Sequence, residues 1–297
     1  MKYTINEFRK EYPNDDVCLD VIFKLRYAKM PCCPCCSQVT EFKRITGRRC
    51  YQCSDKDCQY QLYPTAGTVF EKTRTSLVDW FYAMYLMTST RNGVAAKELE
   101  RQLGVTYKTA WRMGHCIRLL MDNGNDLLTG VIEADETFIG GKNKNMHKAK
   151  RDKMNANGTG TINKIPVLAV LERGGEVRTK VLKHNKDANM TTMVPMVRDN
   201  VVAGSVLVTD GHGAYRVLAG EYSHEVVSHG EDEYVRGTFH TNTIEGYFSH
   251  LKRMISGTHI QVSQKYLQAY VNEHSFRYVH RKEGQLMFKR MLSKIVA

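Results

Sequence analysis

Three acidic side chains stand where packing alone gives no reason for them. Asp135 lies inside the apolar run VIEADETFI, Asp210 ends SVLVTD just before the turn GHGAY, and Glu245 sits in HTNTIEGYFSHLK. In a strand, side chains alternate, so Glu133 and Asp135 share one face and Glu136 takes the other. Each acid alone reads as a cap or a turn residue. Together they place one carboxylate in a strand, one at the end of a later strand and one on a helix. Hard oxygen ligands held that way would bind two Mg²⁺ or Mn²⁺ ions, the arrangement that transfers phosphoryl groups on nucleic acid. Without metal the carboxylates would repel and raise at least one pKa.

The helix that must carry the third acid is legible over residues 240–252. Asn242, Glu245, Ser249 and Lys252 recur at spacings of three, four and three, which puts them on one helical face. Ile244, Tyr247, Phe248 and Leu251 form the opposite, packing side. Glu245, on that polar face, is the third candidate acid.

A second set of candidate ligands is cysteine. Seven of nine cysteines fall between Cys32 and Cys58. Cys33-x2-Cys36 and Cys53-x4-Cys58 supply four soft ligands in two knuckles, the donor set of structural zinc. Pro34 suits the first knuckle turn. Cys32 or Cys35 could replace a member of the first pair, and Cys50-x2-Cys53 could form the second. No apolar run approaches a membrane span, residues 1–30 lack a signal-peptide core, and the chain is expected in a reducing cytoplasm, associated with the nucleoid.

Around these residues the chain divides by texture. Residues 1–30 read as one or two short helices and 31–65 as a zinc ribbon with little core of its own. Residues 74–122 read as helical, with Trp80, Phe81 and Tyr85 as core. In VAAKELERQLGVTYKTAWRM, Gly104 suits a tight turn between two helices. The second helix would present Tyr107, Lys108 and Arg112 to a DNA major groove, with Trp111 facing inward, a helix-turn-helix texture. A linker at 121–130 leads to a domain spanning 127–297. There VIEADETFI, IPVLAVLE, EVRTKVL and SVLVTD read as strands, and helical periodicity returns near Thr241. The lysine-rich segment 141–161, with Lys142, Lys144, Lys148, Lys150, Arg151 and Lys153, reads as a mobile loop able to track a DNA backbone. The formal charge of +12 over 297 residues, from 43 Lys+Arg against 31 Asp+Glu, favours a polyanionic partner. The expected fold is an α/β ribonuclease-H-like catalytic core with an N-terminal zinc ribbon and a helix-turn-helix module.

CPCCS, PTAGTVFEKTRTSLVDWF, YKTAWRM, EADETFIGGK, VTDGHGAY and HTNTIEGYFSHLKR occur in this order over nearly the whole chain. In this the chain resembles the zinc-ribbon DDE transposases of bacterial insertion sequences, in the fifteen-ninety-five branch related to Merlin elements. The resemblance implies Asp135, Asp210 and Glu245 as the catalytic acids, with Asn242 as the rival third residue. Thirty-four residues separate Asp210 from Glu245, and Lys252 follows Glu245 by seven, similar to the Glu-to-Lys spacing common among such transposases. The resemblance further implies DNA partners, namely terminal inverted repeats and target DNA. It implies strand cleavage followed by strand transfer, with Lys252 on a phosphate and a homodimer or larger assembly on DNA. The Cys-x4-Cys knuckle is wider than the Cys-x2-Cys expected. Two other readings use the same residues: a zinc-ribbon regulator on an inactive core, and a nuclease that cuts without joining.

Overall fold

The computed structural model describes residues 3–122, 124–141, 147–148, 152, 164–227 and 239–296. Two compact units emerge, Met1–Leu120 with Lys282–Ala297, and Met121–Arg281. Of the lysine-rich segment's cations, Lys148 is described and exposed; Lys142, Lys144, Lys150, Arg151 and Lys153 lie outside the described residues.

The first unit begins with α1 (Ile5–Glu11), closed by a Thr4–Glu7 capping box, and α2 (Asp15–Tyr27), capped by the Asn14 side chain. The antiparallel ribbon β1 (Phe42–Arg44), β2 (Tyr51–Cys53), β3 (Gln61–Leu62) follows. It has too few apolar side chains for a core of its own and leans on α2, Tyr51 stacking on Phe23 at 4.0 Å. In α3 (Leu77–Ser89), Trp80, Phe81 and Tyr85 are buried, as expected of core. Helix α4 (Ala96–Leu103) ends at Gly104, whose left-handed backbone (φ 64) turns the chain. Thr106 then caps α5 (Tyr107–Leu119). The inward side of α5 is Ala110, Met113, Gly114 and Ile117; Trp111, expected there, instead lies half-buried against the His115 ring at 4.0 Å.

The second unit is built on a five-stranded sheet of β4 (Val131–Ile139), β5 (Ile165–Glu172), β6 (Val177–Val181), β7 (Val206–Asp210) and β8 (Ser223–Val227). The spatial order is β6-β5-β4-β7-β8; the first two pairings are antiparallel, the last two parallel. Strand β8 is too polar to announce itself in the sequence. Helix α6 (Met190–Arg198) covers one face, where Ile132, Ala134, Leu168, Val170 and Leu207 meet Met193, Val197, Tyr215 and Leu218. Helices α7 (Asn242–Arg253) and α8 (Gln264–Val279) cover the other, meeting Ile139, Val167, Ala169 and Leu171. Buried on both sides, β5 is apolar from Ile165 to Leu171.

The last helix, α9 (Gln285–Ser293), corrects the expected extent of the C-terminal domain. Rather than closing a domain over 127–297, residues 282–297 pack in the first unit, where Phe288 meets Phe8, Tyr12 and Phe81. No helix among the described residues is long and apolar enough to cross a membrane.

Candidate active site and zinc-ligand cluster

Of the seven clustered cysteines, four converge. The sulfurs of Cys33, Cys36, Cys53 and Cys58 all lie within 4.8 Å of one another, Cys33 to Cys58 at 3.6 Å and Cys36 to Cys53 at 3.9 Å. Tetrahedral Zn–S bonds of about 2.3 Å imply sulfur–sulfur edges of about 3.8 Å, so these thiols stand at zinc spacing. Each knuckle turns through a left-handed residue just after its second cysteine, Ser37 (φ 57) and Gln59 (φ 48). The first cysteine's amide then bonds back across the turn, Cys33 N–H to Gln38 O at 2.9 Å and Cys53 N–H to Tyr60 O at 2.8 Å. The wider second knuckle closes because Asp55 Oδ1 accepts from the amides of Asp57 and Cys58. Cys50 is buried beside Gln61, Cys32 is half-buried and Cys35 exposed, all outside the cluster.

In the second unit the sheet carries acids to one end. Asp135 lies in β4 opposite Ala169, a small neighbour. The parallel register sets Ala134 beside Thr209, so Asp135 and Asp210 follow at adjacent positions. Glu245 occupies the first turn of α7, exposed, with Thr241 Oγ1 donating to its Oε1 at 2.8 Å. Asn242 opens the helix and is exposed; Lys252 lies farther along the same exposed face. The packing side is Ile244, Tyr247, Phe248 and Leu251, all buried.

Charge and burial mark this end as one site. Burial first, then the negative charges of Glu136, Asp210 and Glu245, push the Asp135 carboxyl up to about 8, although the Glu136 N–H donates to its Oδ1 at 2.7 Å. Burial and the charge of Asp210 raise Glu136 as well, and its Oε2 is buried without a hydrogen-bond partner. Burial, followed by Glu136, Asp135 and Asp210, holds the Tyr215 hydroxyl well above its usual range. Lys252 is lowered by burial and by Lys164, and Asp135 opposes that shift. These acids are less tightly drawn together than the thiols; among the described residues only the cysteine quartet closes to within 4.8 Å. The donor set nevertheless suits a hard divalent cation, since oxygens predominate and Asp135 is desolvated among like charges.

The supports of this site escape a sequence reading. Glu133, two residues before Asp135, is fully buried. Its Oε2 accepts the Ile244 amide of α7 at 2.8 Å, and its Oε1 accepts Arg173 Nε at 2.6 Å. Thr241, the N-cap residue, makes no capping bond, because Glu133 takes the third amide of the helix in its place. Arg173 Nη2 also donates to the His240 carbonyl at 2.7 Å, and His240 Nδ1 lies 3.6 Å from Glu133 Oε1. His212 Nδ1 accepts the Ala214 amide and its own N–H donates to Asp210 Oδ1, which makes it a turn residue. Alternation placed Glu133 on the Asp135 face, but no local signal pointed to its distant partners. Lys108 and Arg112 are exposed on α5.

A thiol-knuckle module and a sheet-borne acidic centre on one chain define a two-part protein, a four-cysteine ribbon and an α/β unit with a carboxylate site. Residues 127–278 match the ISXO2-like transposase domain, and residues 13–61 match the transposase zinc-ribbon domain. The chain belongs to the ISXO2-like transposase family. It is similar to an uncharacterized protein in transposable element ISH50 of Halobacterium salinarum, 28% identical over 291 residues, covering 95% of this chain and 97% of that protein. Among solved structures, it is similar to a chain in the cryo-EM structure of the simian T-cell lymphotropic virus intasome in complex with PP2A regulatory subunit B56 gamma. That likeness has 14% identity and a TM-score of 0.29, covering 64% of this chain and 66%, under two thirds, of the other.

Proposed function

We propose that this protein is an insertion-sequence transposase that binds terminal inverted repeats, cleaves DNA strands at them and joins the freed ends to target DNA. The observation that supports the reading is the buried Asp135 of β4, whose carboxyl is raised to about 8 by burial and Glu136, with the charges of Asp210 of β7 and Glu245 of α7 adding to the shift. The strand order, with β6, β5 and β4 antiparallel and β7 and β8 parallel to β4, supports the ribonuclease-H-like reading.

Asp135, Asp210 and Glu245 would hold two Mg²⁺ or Mn²⁺ ions, with Asn242 beside Glu245 and Thr241 orienting the Glu245 carboxylate. Bound there, the metals would activate the attacking oxygen, first of water and then of a DNA 3′-hydroxyl, and stabilise the leaving one. Lys252, exposed on the Glu245 face of α7, would contact a phosphate near the reacting strand. Helix α5, exposing Tyr107, Lys108 and Arg112, would read a major groove as the second helix of a helix-turn-helix. The zinc ribbon would add salt-sensitive phosphate contacts. Two element ends must meet for joining, which calls for a homodimer or larger assembly on DNA. Such an enzyme would act in the cytoplasm, at the nucleoid.

The test is a joining assay with oligonucleotides that carry the flanking inverted repeats and a free 3′-hydroxyl. Wild type should yield longer, Mn²⁺-dependent products. D135A and D210A should yield none, E245Q should lose about 100-fold or more, and N242A about tenfold. Products that are only shortened indicate a hydrolytic nuclease, and equal behaviour of wild type and the alanine variants indicates a DNA-binding regulator. If N242A abolishes cleavage and E245Q leaves it intact, Asn242 is the third residue.

A further inference from the structure

We propose that Glu133 is the positioning residue that sets the metal site. It would tie the strand carrying the first acid to the helix carrying the third, a role that rests on the reading of Asp135 and Glu245 as ligands. Two residues along β4 from Asp135, Glu133 is fully buried and reaches across to α7. Its Oε2 accepts the Ile244 N–H, one residue before Glu245.

A helix leaves its first amides without internal partners, and a negative charge at that end also favours the helix dipole. Here the partner comes from the sheet rather than from the N-cap side chain, so the capping bond is also a tertiary clamp. The clamp is anchored at its other end. Arg173, in the turn after β5, holds Oε1 at 2.6 Å and the His240 carbonyl at 2.7 Å, fixing the chain that enters α7. Thr241, at the same entry, donates to Glu245 Oε1. Packing of Ile244 and Tyr247 holds α7 on the sheet but is non-directional. A charge-assisted hydrogen bond to one particular amide restrains it strongly. Removing the clamp should therefore loosen the spacing of Asp135 and Glu245 while leaving both residues in place.

The experiment is Mn²⁺ binding to the full-length, zinc-loaded protein, followed by electron paramagnetic resonance, with thermal unfolding measured in parallel. In E133L/R173L both members of the Glu133–Arg173 pair become apolar, so neither is left facing an unpaired charge of the other, yet the Ile244 amide loses its acceptor. Mn²⁺ affinity should fall about 10- to 100-fold. E133Q/R173L restores a neutral acceptor for Ile244 and should recover to within about threefold of wild type, a rescue that a purely structural loss would not show. E133D keeps the charge beside Arg173, and with it the fold, but is one methylene too short. It should weaken binding about tenfold. If E133L/R173L or E133D folds and binds Mn²⁺ within threefold of wild type, the positioning role is overturned. D135A and E245A serve as the separate control. If they bind Mn²⁺ as wild type does, the ligand reading fails and takes the proposal with it.

Discussion

Asp135 concentrates the electrostatic cost of the candidate site. Unfolded, an aspartate ionises near 3.9, and here the folded group is pushed up to about 8. Between those values the native state holds a proton that the unfolded chain has released. Metal-free stability attributable to this group is therefore present below about 4 and is lost as pH rises through about 8. D135N removes the titration. In the presence of EDTA at a strength that spares zinc, its Tm at pH 8 should exceed that of wild type by about 4 °C or more. The difference should close as pH falls toward 4. A wild type as stable as D135N at pH 8 would show that burial and the neighbouring charges do not hold the Asp135 carboxyl protonated. Alternation along β4 made Asp135 legible as an odd acid in an apolar run. Its perturbation comes first from burial and from the neighbouring Glu136, and the charges of Asp210 and Glu245, distant in sequence, add to it.

At the level of elements, the ribbon shows how local geometry accommodates an irregular spacing. Two intervening residues are usual for a knuckle, and the second has four. Asp55 takes up the excess by accepting from Asp57 and Cys58, which turns the extra residues into a closed loop. D55A should weaken zinc affinity about tenfold in chelator competition, and D55N, which keeps an acceptor oxygen, should stay near wild type. Equal affinities for D55A and wild type would mean that the thiols alone shape the knuckle. Zinc binding and folding are coupled in so small a module, so D55A should also lower the protection of β1–β3 in hydrogen exchange. The strand and helix types around the acids were readable from periodicity. Helix α7, with its polar stripe and its buried Ile244, Tyr247, Phe248 and Leu251, was the clearest case. Strand β8 was not readable, because SHEVV at a sheet edge carries too little apolar signal.

Across the whole molecule, the C-terminal helix is the least local feature. Phe288 packs among Tyr3, Phe8, Tyr12 and Phe81, so the start and the end of the chain share one aromatic core. F288A should cost about 3–5 kcal/mol in the first unit. Hydrogen exchange should show lost protection in α1–α3, with β4, β5 and β7 unchanged. Loss confined to the strands instead would place α9 with the second unit. The cooperative partner of the N-terminal helices is thus a segment nearly 300 residues away, and truncation at either end should weaken the same unit.

Local spacing by itself determined the two ligand classes, the polar face of α7 and most element types. Those properties follow from side-chain periodicity and donor chemistry, which are fixed over a few residues. The tertiary structure decided which four of seven clustered cysteines meet, that Glu133 and not Thr241 caps α7, and that α9 returns to the first unit. Each of those outcomes depends on contacts between segments far apart in the chain. Burial, hydrogen-bond geometry and like-charge repulsion select among partners there only once the chain has folded.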